Sequence, residues 1–395
     1  MFLPNRHPGY RTPLHPADAG TLGEAGAAAA ERYLGFREGH APTPLHALPT
    51  LAAALGVGAV HIKDEGQRLG LGSFKALGGA YAVANLVLEE AARQLGRPVD
   101  VADLNSPEVR KVASAMTFAC ATDGNHGRSV AQGAQLVGAR AVIFVHGGVS
   151  DARVAAIARF GAEMVRVEGT YDDSIVEAAR VSAAKGWTVV SDTSWDGYER
   201  IPGLVMQGYT VIVREALRQL AEPPTHVFVQ AGVGGIAAAL AGYFALLMGD
   251  KRPTFVVVDP ARAACIFETA KAGHPVKIAH GAPTVMAMLE CYDPSPLAWR
   301  VLSRVADGFM TVEDDDAVAV MNRLARPAGN DPKIVAGESG GAGLAGAIRA
   351  ASDPEIRLQL RLDASSRIFV VNTEGATDPA RYAALVGMAP AQVAG

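Results

Sequence analysis

The chain has 395 residues, of which 49% are hydrophobic and 19% charged, with a net charge of −4. That length is ample for two buried cores, and the slight acidic balance excludes the basic face that nucleic-acid binding needs. The opening "MFLPNRHPGYRTPLHPADAG" holds no apolar signal-like stretch, and the longest apolar run, Ile236 to Met248, is too short to span a bilayer.

In chain order, "AVHIKDE" (59–65) reads as a strand, followed by a helix from about Ser73, its cap, to Ala92. "TFACAT" (117–122) is a strand, and a helix runs from about Asn125 to Val137. "AVIFVHG" (141–147) is a strand, after which Ser150 caps a helix that Gly161 stops. "EMVRVEG" (163–169) and "TVVSDT" (188–193) are strands with a helix between them, and after "IPGLVMQGY" (201–209) a long helix runs to about Leu220. The alternation resumes with "HVFVQA" (226–231), a helix from Gly234, "TFVVVDP" (254–260) and a helix from about Arg262. "GFMTV" (308–312) and "RIFVVNTEG" (367–375) are the last strands.

Short, near-continuous β-branched runs between helices predict parallel strands covered on both faces. The fold class is therefore α/β, doubly wound, with mostly parallel sheets. Residues 87–195 form a βαβαβ block, expected to be a smaller domain inserted into a larger one made of 1–86 and 196–395. Ligands of such sheets sit at the carboxyl ends of strands, often between domains.

Four loops at strand ends stand out. "GLGSFKALGGAYA" carries one cation, Lys75, among glycines, alanines and Phe74. A lysine that snorkels off a small-residue helix is one reading; a buried amine used for Schiff-base chemistry is the other. "ATDGNHG" sets Thr122, Asp123, Gly124, Asn125 and His126 at a helix N-terminus, where a run of backbone N–H groups binds an anion; an ordinary turn is the bland alternative. "QAGVGGIAAAL" places Gly232, Val233, Gly234 and Gly235 before a helix free of acid, a phosphate cradle. The same stretch satisfies a dinucleotide pattern, with Asp259 standing where a ribose-binding acid belongs. "VVNTEGATDP" ends a strand at Thr373, and "GESGGAG" is a further glycine-lined loop, expected to expose Ser339 and to cap a helix.

An NAD(P)-dependent dehydrogenase accounts for one of these loops. A pyridoxal-phosphate enzyme with Lys75 as the imine lysine accounts for all four. A non-catalytic amino-acid-binding protein leaves Lys75 without a task. Cys120, Cys265 and Cys291 lack zinc spacing, so no metal site is expected. Their odd number predicts free thiols in a reducing cytoplasm, with a Cys265–Cys291 bridge as the less favoured reading.

Together, "SFKALGGAYA", "ATDGNHGR", "DTSWDGYERIP", "MQGY", "QAGVGG", "GESG" and "TEGATDP" resemble the diaminopropionate ammonia-lyases. These belong to the fold type II, tryptophan synthase β-like group of pyridoxal-phosphate enzymes, together with threonine dehydratase. The resemblance runs from about Pro42 to Pro379; Glu199-Arg200, Asp259 and the stretch "APTVMAMLECYDP" (282–294) depart from it. It implies that Lys75 holds the cofactor as an imine and, once freed and lowered in pKa by desolvation, removes the Cα proton. Asn125 is then expected at the ring's phenolic oxygen and Thr373 at the ring nitrogen. A neutral hydroxyl there cannot keep that nitrogen protonated, which favours β-elimination.

On this reading Ser73, Thr122, Asp123, Gly124, His126, Asp192 and Ser339 surround the substrate, with Asp123 and Asp192 as acids matched to two amino groups. Asp123, on the face opposite Lys75, would let both Cα configurations react. The implied reaction turns 2,3-diaminopropionate into pyruvate and ammonia; serine, threonine or hydroxyaspartate dehydration is the alternative. A homodimer follows from the resemblance alone.

Overall fold

The computed structural model describes residues 1–122, 124–169 and 171–394. Its strands are β1 (Phe2–Pro4), β2 (Leu45–Ala47), β3 (Ala59–Asp64), β4 (Thr117–Ala121), β5 (Arg140–His146) and β6 (Glu163–Val167). They continue with β7 (Thr188–Val189), β8 (His226–Gln230), β9 (Thr254–Pro260), β10 (Gly308–Val312) and β11 (Arg367–Asn372). Two sheets result, a seven-stranded one in the order β1-β10-β9-β8-β11-β3-β2 and a four-stranded one in the order β6-β5-β4-β7. The small sheet is parallel throughout. In the large sheet only the edge strands β1 and β2 run antiparallel to their neighbours.

Strand β11 shows why these sequences need cover on both faces. Phe369 and Val371 enter one apolar cluster, and Ile368 and Val370 enter another, as the two-residue period dictates. The first cluster is continuous between the sheets, holding Val83, Phe118 and Val130 together with Val227 and Phe255. The helix Gly235–Met248 is apolar all round, and its residues 235–244 lie buried in this cluster, while Leu246 and Leu247 of its last turn are exposed.

The glycines beside Lys75 serve helix packing. The helix Lys75–Leu95 crosses the helices Asn125–Val137 and Arg200–Tyr209. A Cβ on Gly78 would lie 2.6 Å from the Tyr209 ring, and one on Gly79 would lie 2.9 Å from Ser129 Oγ. Ser73 is not the cap of that helix. It is buried in a bridge to Glu374, and Phe74 occupies the cap position without a side-chain bond.

Other boundaries also move. The expected strand 188–193 is paired only at Thr188–Val189, and β11 ends at Asn372. The helix expected after Tyr209 runs Val211–Gln219, and a further helix, Arg200–Tyr209, precedes it. The helix expected from Arg262 begins at Cys265, and that capped by Ser150 ends at Ala158, before Gly161. The three cysteines are free thiols.

Just upstream of Lys75 lies a buried charge quartet. Arg68 Nη2 meets Glu65 Oε1 and Glu215 Oε2, each at 2.7 Å, and Lys63 Nζ meets Glu215 Oε2 at 2.8 Å. The charges cancel, so the cluster avoids an isolated buried ion.

Candidate active site

The carboxyl ends of β3, β4, β7, β8 and β11 lead to Lys75, Thr122, Asp192, Gly232 and Thr373, and all five line one cavity of about 950 Å³. Phe74, Gly124, Asn125, His126, Val233, Gly234, Gly235 and Ser339 line it too. Two expected residues are not placed there. Ser73 does not reach the lining, and Asp123 lies outside the described residues.

Lys75 opens its helix, and its Nζ forms an ion pair with Asp192 Oδ2. Burial works against the Lys75 charge, but Asp192 outweighs it and holds the ammonium above the usual lysine range. The lowering expected from desolvation alone is therefore absent, because the counter-charge sits on the amine. Burial likewise opposes the Asp192 charge, and Lys75 with His126 outweighs it, holding the carboxyl well below the usual range. His126 Nε2 lies 2.8 Å from the Val190 carbonyl, which places a proton on that nitrogen, and burial keeps the ring neutral. Beside Lys75 the Tyr209 phenol is pushed up by burial, and the neighbouring Lys75 charge works against that rise.

The glycine loop after β8 leads into the fourteen-residue helix Gly235–Met248. Gly234 sits at φ +100°, where a Cβ would also come 3.0 Å from Ala298 Cβ, so only glycine fits. The N–H groups of 232–235 donate to no protein acceptor among the described residues, whereas Ala231 N and Ala238 N are both satisfied. Cys265 and Cys291 flank this loop: Cys265 Sγ donates to the Gly232 carbonyl at 3.4 Å, and a Cβ on Gly232 would meet Cys291 Sγ at 2.9 Å.

The "TDGNHG" loop uses part of its hydrogen-bonding capacity internally. Thr122 Oγ1 accepts from Gly124 N and Gly127 N, both at 3.1 Å. Asn125 Nδ2 donates to Glu374 Oε2 at 2.6 Å. Burial, then the neighbouring Glu338, pushes the Glu374 carboxyl up to about 7. Gln230 Nε2 donates to Thr373 Oγ1 at 2.8 Å and to the Gly340 carbonyl at 2.6 Å. Since the Thr373 oxygen accepts, its own proton is left to point into the cavity.

Ser339 is buried rather than exposed, and its Oγ accepts from Met288 N at 3.1 Å. Asp259 is remote from the cavity lining. Its Oδ2 accepts from Phe267 N at 2.8 Å and so caps the helix Cys265–Ala272, which removes the ribose-binding acid from the dinucleotide reading. Tyr209, Gln230, Glu374 and the segment Ala287–Cys291 also line the cavity. "MQGY" and "TEG" contained Tyr209 and Glu374, but nothing local marks a tyrosine or glutamate as facing a site assembled from distant strands.

Residues 36–374 match the family described as pyridoxal-phosphate dependent enzyme. The chain is 39% identical over 355 residues to the diaminopropionate ammonia-lyase of Escherichia coli K12, covering 88% of each chain. The crystal structure of the Escherichia coli diaminopropionate ammonia lyase in complex with an aminoacrylate-PLP azomethine reaction intermediate superposes with a TM-score of 0.87 at 35% identity, over 98% of this chain and 96% of that one. Its complex with D-serine gives 0.86 at 34% identity over the same shares. An enzyme holding pyridoxal phosphate, with the fold type II architecture, is what a lysine and a glycine cradle at the strand ends compose. The chain belongs to the pyridoxal-phosphate dependent enzyme family, and the diaminopropionate ammonia-lyases are relatives it matches along most of its length.

Proposed function

We propose that the protein eliminates ammonia from 2,3-diaminopropionate, giving pyruvate and two ammonia per substrate. The observation that carries this reading is Lys75 held against Asp192 in a cavity floored by the glycine loop, in a chain whose relatives are ammonia-lyases.

The residues fit pyridoxal phosphate. Unbonded N–H groups at a helix N-terminus, in a cradle that a Cβ would fill, suit its phosphate, to be held by Gly232, Val233, Gly234 and Gly235. Lys75 is the amine for its aldehyde. Phe74 and Asn125 would hold the ring, and the Thr373 hydroxyl would serve its nitrogen, where a neutral group cannot keep that nitrogen protonated. When bound, the cofactor supplies an aldehyde that condenses with amines and a conjugated ring that accepts the electron pair left at Cα.

The chain's own groups do the rest. Thr122, Gly124 and His126 belong to the loop that would take the substrate carboxylate, with Ser339 on the cavity wall; Ser73, bridged to Glu374, does not reach the lining. Lys75 Nζ removes the Cα proton, and Asp192 holds the resulting ammonium. The Cα electron pair expels the β-amine, which leaves with a proton as ammonia. The three-carbon enamine that remains takes up water and releases the second ammonia as pyruvate forms. Phe74, edge-on to Tyr209 at 4.7 Å between ring centres, closes one wall against water. Asp123 is assigned on sequence grounds to the face opposite Lys75, which opens the reaction to both enantiomers.

Residues 1–86 and 196–395 would form the cofactor-binding domain and 87–195 the inserted one. Free thiols support a reducing cytoplasmic setting, and the enzyme is taken to be a homodimer.

An assay of ammonia and keto acid across D- and L-diaminopropionate, serine and threonine tests the reaction. Two ammonia per pyruvate from the diamine is expected. Turnover confined to the hydroxy amino acids would replace the reading with a dehydratase.

A further inference from the structure

The catalytic cavity opens into a wider space of about 2050 Å³, and Ala287, Met288, Glu290 and Cys291 line both. These residues form the neck between the two. The neck is built on the glycine loop, since a Cβ on Gly232 would lie 3.6 Å from the Met288 carbonyl. Glu290 is half-buried in this neck and its carboxylate is pinned. The Tyr292 hydroxyl donates to Oε1 at 2.8 Å, and Thr284 N donates to Oε2 at 3.3 Å. Tyr292 is itself fixed by stacking on His280 at 3.9 Å.

Among the described residues, Asp192, Glu290 and Glu374 are the carboxyl groups that line the inner cavity. Asp192 is paired with Lys75. Glu374 is fully buried and engaged by Asn125. Among the described residues Glu290 pairs with no lysine, arginine or histidine; a hydroxyl and a backbone amide donate to it. A carboxylate held in one orientation, partly dehydrated and without a counter-charge, suits a cation that arrives from solution.

The reading above, on which this inference rests, brings such a cation. Diaminopropionate carries one carboxylate and two amines, of which only one is consumed at the aldehyde. We propose that Glu290 is a specificity-determining residue that receives the substrate's second ammonium in the neck. A hydroxy or plain alkyl side chain leaves that carboxylate unpaired, so the neck selects diamino acids. The two hydrogen bonds keep the carboxylate aimed, and so reduce the ordering cost on binding.

The experiment uses the holoenzyme and Glu290→Gln, with two ligands of one shape. Diaminopropionate is followed by KM and kcat. 2-Aminobutyrate, with a methyl group in place of the second ammonium, is followed by its dissociation constant from the change in the cofactor's visible absorbance. The variant should raise KM for diaminopropionate about tenfold or more, the worth of a charge-assisted hydrogen bond. kcat and the 2-aminobutyrate constant should stay within about twofold, well below that tenfold threshold. Tyr292→Phe, which keeps the charge but frees it to swing, should move KM the same way by less. Equal effects on both ligands, or none on either, would overturn the proposal. A wild-type enzyme that releases no ammonia from diaminopropionate overturns the underlying reading as well, and does so without reference to either variant.

Discussion

Asp192 acts on Lys75 in two ways. It keeps the amine charged, and in the proposed reaction it would seat the proton that Lys75 takes. Asp192→Asn keeps the shape and removes both effects. Turnover should fall about a hundredfold or more, the usual worth of positioned proton transfer, while borohydride still fixes the cofactor to Lys75. Unchanged turnover would leave Asp192 a packing residue. Lys75→Ala should abolish both turnover and the visible absorbance. For Asp123→Asn the expected result is asymmetric, with one enantiomer of diaminopropionate losing far more rate than the other; chiral substrates assayed separately decide it.

Glu374 makes a different residue-scale prediction, about pH. Its folded pKa of about 7 lies above the ordinary carboxylate value, so the folded chain binds its proton more tightly than the unfolded chain. That contribution is complete below the unfolded value and is lost as pH climbs toward about 7, where charge must form in a fully buried site. The window is worth on the order of 3 kcal/mol at roughly 1.4 kcal/mol per pKa unit. Glu374→Gln should remove that slope. Thermal unfolding of both proteins near about pH 5 and about pH 8 reads it, and parallel pH profiles would refute it.

At the scale of elements, the most informative contact is the crossing of three helices at Gly78 and Gly79. Gly79→Val should push the Lys75 helix off Ser129, costing about 1–3 kcal/mol by denaturant unfolding and weakening cofactor affinity with it. Asp259→Ala, in contrast, should cost about 1 kcal/mol for a lost cap and leave cofactor affinity alone. A collapse in cofactor binding there would return Asp259 to the site.

The elements also show what a sequence can carry. Near-continuous apolar runs marked the strands β3, β4, β5, β8, β9, β10 and β11, because parallel strands covered on both faces must be apolar on both, and "EMVRVEG" marked β6 as well. The helix Arg200–Tyr209 was invisible, because Pro202, Gly203 and Gly208 read as helix breakers, yet Pro202 falls in its first turn and Gly208 packs on the Lys75 helix. Ser73 looked like a cap since capping is local, whereas its real partner, Glu374, lies three hundred positions away. The loops that meet at the cavity were legible one by one as odd local chemistry. The neck 287–291 was not, because its residues are ordinary and only their placement over the glycine loop gives them a role.

For the molecule as a whole, one core cluster joins the two sheets, and ion pairs and hydrogen bonds cross the cleft between them, among them Lys75–Asp192 and Asn125–Glu374. A ligand gripped from both sides adds its binding energy to the folded state, about 2.7 kcal/mol at a hundredfold excess over its dissociation constant. Stripping the cofactor should therefore lower the melting temperature, and adding it back should restore it. The buried quartet makes the opposite kind of claim. Glu215→Ala strands Lys63 and Arg68 without their shared partner and should cost about 3–5 kcal/mol, enough to lose soluble protein.

The strand order also sets a timetable for synthesis. β11 is the last strand to leave the ribosome, yet it takes an interior place between β8 and β3. Until residue 372 emerges, those two neighbours each present an open edge, whereas the four strands between 117 and 189 are already complete. A nascent chain arrested short of β11 should thus contain one finished sheet and one split one. Capture of the vitamin-derived cofactor must then wait until translation is nearly over.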